Sequence, residues 1–435
     1  VVSMQTLTEK ITGRSAHISV IGLGYVGLPL AVEFAKAGYR VTGIDADGER
    51  VAEINAGSCP IQDVDAKTLK QVVDAGALSA TPDFAVLEEV DAMSICVPTP
   101  LGKTKEPDIS YIMSVSGEIR QHLHAGQLIV LESTTYPGTT DEVLLPLLGE
   151  SGLKVGQDFF LAFSPERIDP GNHTFQLTNT PKIIGGATPE CTQVAKLLYE
   201  QIIDHLVPVS SSRAAEMVKL LENTFRAVNI GLVNEVALMC DRLDLDVWEI
   251  IDAASTKPFG FMPFYPGPGL GGHCIPLDPH YLAWKLKTLD YRARFIELAD
   301  DINTSMPHHV VNRVTDVLNE GSKSVKGSKL LVLGVAYKPD TNDLRESPAL
   351  EVIRLLQMKG GDVSFHDPYI THVEIPNLTY TELSNSILHW ADCVIITTHH
   401  SVYDYAWVVQ HAKSVVDTRN ATRDVSQHRE KIHKL

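Results

Sequence analysis

The stretch Ile18-Ser-Val-Ile-Gly22-Leu-Gly24-Tyr-Val-Gly27 constrains the chain more than any other, because it sets three glycines at fixed offsets between a β-type apolar run and a helical one. Gly22 permits a tight turn, Gly24 lets a backbone approach a pyrophosphate, and Gly27 lets helix and strand pack closely, with the helix N-terminus aimed at phosphate. Alone, the pattern is a common glycine-rich turn. Here the next β-type run, Arg40–Asp45, ends on an acidic residue eighteen positions after Gly27. A carboxylate there accepts from both ribose hydroxyls and repels a 2′-phosphate, so the segment predicts NAD over NADP, a preference that nearby Arg50 slightly softens.

The rest of the chain extends this beginning. Short β-rich runs at Ala92–Val97 and Leu128–Leu131 alternate with helical stretches, the signature of parallel βαβ units, and runs near Phe159–Phe163 and Lys182–Ile184 carry the same sheet to about Val209. Ser211–Asp241 then reads as one long helix, with Ser211 or Ser212 as N-cap and only Gly231 as an interior weak point, followed by a second helix at Val247–Ser255. Alternation resumes at Lys329–Val335, Asp362–His366, Cys393–Thr397 and Ser414–Asp417, with a helical pattern at Pro348–Met358. The expected fold is α/β: two Rossmann-like parallel-sheet domains joined by a long central helix and a helical dimerisation region. The expected domains are 1–210, 211–320 and 321–435.

Composition narrows the partners. A formal charge of −17 over 435 residues argues against nucleic acid or an anionic membrane as the main partner, and no apolar run is long enough to span a bilayer. The first twenty residues do not read as a signal peptide, and six scattered cysteines without a C-x-x-C pair fit a reducing compartment, so the expected location is the cytoplasm. An anionic small ligand needs a local cationic cluster, which Lys338, Arg345 and Arg419 supply.

Lys257–Pro279 holds six prolines and five glycines in 23 residues, too many for a regular element and too apolar for a disordered linker. Within it, Pro266-Gly-Pro-Gly-Leu-Gly-Gly-His-Cys274-Ile-Pro-Leu-Asp278-Pro leaves one cysteine open to a substrate, with a helix expected to begin at Asp278-Pro279. A helix N-terminus favours thiolate, which makes Cys274 a nucleophile candidate. Lone cysteines are usually small core residues, as Cys96, Cys240 and Cys393 read, but those stand in strands or helices. A metal site is a poor reading, because His273 and Cys274 lack further ligands at the usual spacing. Asp278 serves equally as a helix cap.

On the long helix, Lys219, Asn223 and Arg226 share one face, while Met217, Leu220, Leu221 and Phe225 point largely elsewhere. Such a polar stripe is ordinarily a solvated face, and its place between two sheets is what makes it a candidate site. Three polar stretches also fall at strand ends, where open α/β sheets bind ligands: Glu132-Ser-Thr134-Thr, Ser164-Pro-Glu166-Arg167 and Tyr337-Lys338 through Arg345-Glu-Ser347.

Together, GLGYVGLPL, CVPTP, ESTTYPGTT, SPER, KLLENTFRAVN, PGPGLGGHCIPLDP and GVAYKPDTNDLRES closely resemble the UDP-glucose/GDP-mannose dehydrogenase family, from about Ile18 to Arg419. Thr256–Tyr265 looks most like the branch acting on UDP-N-acetylglucosamine, where UDP-glucose enzymes carry a differently composed loop. The resemblance implies a four-electron, NAD-dependent oxidation of a sugar C6 hydroxyl to the carboxylate through a thioester on Cys274. It implies Lys219 and Asn223 at the reacting oxygen, Asp278 and Thr134 organising water, and Glu166 assisting thioester hydrolysis. It further implies that Gly22, Gly24, Tyr25, Val26, Gly27, Asp45, Arg50, Pro98, Thr99, Thr134 and Arg345 touch NAD. Glu166, Arg167, Lys219, Asn223, Arg226, Phe264, Tyr265, Gly269, Lys338 and Arg419 would hold the UDP-sugar, in a homodimer or higher homo-oligomer. The same chemistry on UDP-N-acetylgalactosamine, UDP-N-acetylmannosamine or UDP-glucose, a single-step hydroxy-acid dehydrogenase, which needs no cysteine, and a non-catalytic sensor of NAD and a UDP-sugar are the competing readings.

Overall fold

The computed structural model describes residues 2–61, 64–102, 105–168 and 174–435. The chain forms two compact units, Val1–Glu222 with His280–Tyr291, and Asn223–Pro279 with Arg292–Leu435.

The first unit is built on an eight-stranded sheet: β1 His17–Ile21, β2 Arg40–Ile44, β3 Leu78–Thr81, β4 Ala92–Ile95, β5 Leu128–Leu131, β6 Phe160–Phe163, β7 Lys182–Gly186 and β8 Leu206–Pro208. Their spatial order is β3-β2-β1-β4-β5-β6-β7-β8. The central strands are buried along their whole length, and largely apolar, because both faces are covered. Ile18, Val20, Leu128 and Val130 meet Leu28, Ala31 and Phe34 of the helix Gly27–Lys36 in one core. Ile21, Ile129 and Leu131 face a second core with Ile112 and Ile119 of the helix Ser110–His122. The expected parallel arrangement holds with one exception: β7 runs antiparallel to β6.

The second unit repeats the plan with six strands, all parallel: β9 Lys329–Leu333, β10 Asp362–His366, β11 Thr379–Tyr380, β12 Cys393–Ile396, β13 Val415–Asp417 and β14 Ile432–Lys434. The order β11-β10-β9-β12-β13-β14 matches the first six positions of the larger sheet. In both, chain direction across the sheet reverses between the first and fourth strands, where ligands of open α/β sheets bind.

The long helix is Ser212–Leu243, and its first turn is capped by the Ser211 hydroxyl, which accepts from the Ala214 N–H at 3.1 Å. Gly231 is no weak point. A Cβ there would lie 3.1 Å from Ala299 Cα, so the glycine lets this helix lie close against a second long helix, Arg294–Glu320. That second helix, with Pro307 inside it, was not anticipated from the sequence. Asn234 and Asn303 join the two helices through a 2.8 Å hydrogen bond, and Asn234 Oδ1 also accepts from Gly267 N at 3.0 Å, which anchors the Gly/Pro loop to the helix pair.

Candidate active site

The glycine turn after β1 behaves as its spacing requires. Gly22 has φ +93°, and a Cβ there would lie 2.5 Å from the Cys96 carbonyl oxygen at the end of β4. At Gly27 a Cβ would sit 1.8 Å from the Gly22 oxygen, whereas at Gly24 it would meet nothing within 4 Å. The turn is therefore tight beneath and open above, which fits a pyrophosphate laid over Gly24. Asp45 accepts from Leu23 N at 2.8 Å, Asp47 N at 2.9 Å and Arg50 Nη1 at 3.2 Å. Arg50 is thus engaged by Asp45 and does not stand free to attract a 2′-phosphate. Val26 precedes the first turn of the helix that begins at Gly27, Tyr25 is exposed, and Pro98 and Thr99 follow β4 at the same edge. Tyr281 holds this edge by donating its hydroxyl hydrogen to the carbonyls of Thr99 and Pro100. Thr134, half-buried just past β5, completes the row of strand ends.

Further along the same unit, Lys219 is 8% exposed and donates from Nζ to the backbone carbonyl of Glu166 at 2.7 Å. No carboxylate pairs with it among the described residues, so a buried ammonium keeps donors for a developing oxyanion. The Glu166 side chain curls back, Oε1 accepting from Arg167 N at 2.6 Å and Ile168 N at 2.5 Å. Arg167 does not reach outward as a substrate ligand would. Its guanidinium pairs with Glu222 at 2.6 Å and donates to the Pro181 carbonyl at 2.6 Å.

In the second unit, the Gly/Pro loop is ordered without regular structure. Cys274, half-buried, closes a turn in which its carbonyl accepts from Leu277 N at 3.1 Å and Asp278 N at 2.8 Å, and the helix Asp278–Lys287 begins there. Asn223 and Asp278, both buried, are joined by a 2.5 Å hydrogen bond from Nδ2 to the carboxylate. This bond ties Asp278, the first residue of its helix, to the long helix. The loop's glycines press on the third polar stretch and on Arg419: a Cβ at Gly271 would lie 2.7 Å from Tyr337 Cβ, and one at Gly267 2.4 Å from Arg419 Nη1. Gly269, with φ +137°, packs on Pro348 and the Asn303 carbonyl. Gly272 N donates to the Arg345 carbonyl at 2.9 Å. Phe264 packs edge-on against Phe225, and Tyr265 stacks on Trp248 with its hydroxyl on Asp252.

The expected cationic cluster is only partly assembled. The Arg345 guanidinium is held by the Asp343 carboxylate at 2.5 Å and 3.0 Å, while Lys338 lies beside Tyr337. Arg419 has no carboxylate on its guanidinium among the described residues; Nε donates to the Thr397 carbonyl at 3.1 Å. Burial pulls its pKa down to about 10, which leaves it charged at neutral pH and poorly compensated.

The turn after β9 copies the one after β1. Gly334, φ +81°, abuts the Thr398 carbonyl at the end of β12, and Asp367 after β10 accepts from Val335 N at 2.7 Å, as Asp45 does from Leu23 N. Asp367 also accepts from Ala336 N, Tyr369 N and His400 Nε2, at 3.1, 2.9 and 3.0 Å. His400 Nδ1 accepts from Asp340 N at 3.0 Å, so the ring proton sits on Nε2. This buried pair shapes the Gly334–Asp340 loop that carries Lys338. Two adjacent histidines beyond a strand had not pointed to it.

The long helix inverts the usual pattern. Lys219 and Asn223 are buried, whereas Leu221 and Phe225 are 57% and 45% exposed; Arg226, the third member of the stripe, is exposed too. One turn before Lys219, fully buried Glu216 accepts from Gly138 N, Thr140 N and Thr140 Oγ1 at 2.5–2.9 Å. Burial raises its pKa to about 7, the three donors only partly opposing this. A raised folded-state carboxyl pKa contributes stability below the ordinary value near 4.5, and that stability is lost as pH rises through about 7. The stability advantage of the native chain over Glu216→Gln should therefore shrink by roughly 3 kcal/mol between pH 5 and 8.5. Denaturation of both proteins at the two pH values checks this, and parallel pH dependences would refute it.

A Rossmann turn, a second sheet of the same order and a cysteine loop define the class, a two-sheet nucleotide-dependent dehydrogenase. The UDP-glucose/GDP-mannose dehydrogenase family matches in all three parts: its NAD binding domain over residues 16–203, its central domain over 213–305 and its UDP binding domain over 331–424. The chain is 37% identical to UDP-N-acetyl-D-glucosamine 6-dehydrogenase of Pseudomonas aeruginosa over 82% of its length and 84% of that protein. It is 36% identical to NDP-N-acetyl-D-galactosaminuronic acid dehydrogenase of Ralstonia solanacearum, over 89% of this chain and 91% of that one. Its fold superposes on the UDP-D-ManNAc dehydrogenase of Pyrococcus horikoshii with a TM-score of 0.85 at 34% identity, covering 93% and 96% of the two chains. The chain belongs to the UDP-glucose/GDP-mannose dehydrogenase family, and NAD is its cofactor. Among the described residues, no helix is long and apolar enough to cross a membrane.

Proposed function

We propose that the chain oxidises the C6 hydroxyl of UDP-N-acetylglucosamine to the carboxylate in two steps, with Cys274 holding the intermediate. The observation that carries this reading is a half-buried cysteine at the mouth of a helix in a glycine-packed loop, on the same unit as the buried Asn223–Asp278 pair. Bound NAD supplies the hydride acceptor for each oxidation. The aldehyde formed first is attacked by the Cys274 thiolate. Loss of hydride from that thiohemiacetal gives a thioester, and water releases the acid. The Lys219 ammonium and the Asn223 amide, one helical turn apart, stabilise negative charge on the sugar oxygen at both stages. Thr134, Asp278 and Glu166 handle water and its protons, and Lys338 and Arg419 meet the diphosphate.

The amino-sugar assignment rests on the Thr256–Tyr265 loop and on the name carried by the Pseudomonas relative. Three domains at 1–210, 211–320 and 321–435, assembled as a cytoplasmic homodimer or larger homo-oligomer, complete the reading. Exposed Leu221, Phe225, Leu232, Met239 and Leu243 give the long helix an apolar stripe suited to a second copy of the chain.

Limiting UDP-N-acetylglucosamine driven to completion with excess NAD should yield two NADH per sugar. No NADH from this sugar, with two per sugar from its manno or galacto epimer, would move the substrate and keep the mechanism; one NADH per sugar from any of them would end the thioester reading.

A further inference from the structure

Beneath the Ser164–Arg167 stretch lies a charge that the family motifs do not include. Lys182, the first residue of β7, is 4% exposed, and its Nζ donates to Glu132 Oε2 at 2.8 Å and to the Pro165 carbonyl at 3.4 Å. The same ammonium lies 3.9 Å from Glu166 Oε2, the oxygen of that carboxylate with no hydrogen-bond partner among the described residues. Glu132 is fully enclosed and also accepts from the Tyr199 hydroxyl, which contacts Ser94 Oγ at 2.9 Å. Lys182 is thus fixed from behind by Glu132 and presented to Glu166. Burial alone would pull its pKa down, but Glu132 and Glu166 more than offset this, so it stands charged.

A lysine buried in a sheet is costly, and an apolar residue of similar length would satisfy packing. Its two contacts on the same stretch, a carbonyl of the backbone and a carboxylate oxygen, give it a use. We infer that Lys182, backed by Glu132, is a positioning residue for the hydrolytic half of the reaction, setting the orientation of the Glu166 carboxylate. The inference rests on the proposed role of Glu166 as base toward the attacking water. In that step a C–O bond forms from water to the thioester carbon and one water proton passes to the Glu166 carboxylate. The C–S bond then breaks and the sulfur departs as the Cys274 thiolate. No electron is transferred, so the two oxidations need not slow when the lysine is lost.

The test is a rapid-mixing experiment on the full chain with saturating NAD and the nucleotide sugar that the stoichiometry experiment identifies. Removing Lys182 alone would strand Glu132 in the core, so the variant is the double Glu132→Gln/Lys182→Met, with Glu166→Gln as comparison. The double variant should release a burst of two NADH per site and then turn over about tenfold or more slowly than the native chain. Acid-quenched samples should show the sugar retained on Cys274 by mass spectrometry. Native steady-state turnover in the double variant would overturn the inference, as would a uniform loss of rate with no burst. If Glu166→Gln gives the burst and the double variant does not, the positioning role alone fails; if neither does, the role of Glu166 fails with it.

Discussion

Cys274→Ala should turn over at least about a thousandfold more slowly than the native chain, because it removes the atom to which the proposed mechanism bonds the substrate for half of the reaction. The thiol sits in a loop where Gly271 and Gly272 press on Tyr337, and Gly272 N is held by the Arg345 carbonyl. Alanine fits this loop without a clash, since it only shortens the side chain. NAD affinity, which depends on the turn after β1, should stay within about twofold by fluorescence titration, so the loss will be chemical and not structural. Retention of more than about a tenth of native turnover would end the role of Cys274: with two NADH per sugar the second oxidation would proceed from a free aldehyde hydrate, and with one the single-step dehydrogenase reading would regain its place.

The second large effect contrasts two glycines three residues apart. Gly27→Ala forces a Cβ to within 1.8 Å of the Gly22 oxygen, where only backbone can yield. Helix and turn must separate, at a cost of about 2–4 kcal/mol, and NAD binding should fall beyond measurement at millimolar cofactor. Gly24→Ala meets nothing within 4 Å in the protein, so its melting temperature should match the native one. Its Cβ instead enters the space left for pyrophosphate, and the KM for NAD should rise about tenfold or more. Equal affinities for NAD in the native chain and Gly24→Ala would show that the dinucleotide does not cross this turn.

Much of this architecture was legible in the sequence because the central strands are buried on both faces and so read as largely apolar runs. Leu128–Leu131 and the helix Pro348–Met358 lie where the pattern puts them. The antiparallel β7 left no trace, since strand direction depends on the connection before it and not on its own composition. Lys182 was invisible for a related reason: a lysine opening a strand reads as a solvated end, and only the fold shows Glu132 waiting beneath it. The stripe of Lys219, Asn223 and Arg226 belonged in water by its chemistry; tertiary packing buried the first two and left Arg226, Leu221 and Phe225 outside. Arg345 and Arg167 read as free cations because their partners, Asp343 and Glu222, declare themselves only through geometry.

The copied turn after β9 raises the question of how one chain keeps two look-alike crevices from accepting the same ligand. A carboxylate offers about four acceptor positions. Asp45 uses three of them, on Leu23 N, Asp47 N and Arg50, and keeps an edge of its side chain exposed, whereas Asp367 takes Val335 N, Ala336 N and His400 on Oδ2 and Tyr369 N on Oδ1 and is wholly buried. The open edge of Asp45 is where the proposed reading places a ribose hydroxyl; its counterpart is enclosed by the protein itself. His400, itself wholly buried, covers that carboxylate, so the second turn, unlike the first, presents no exposed acidic side chain to a ribose.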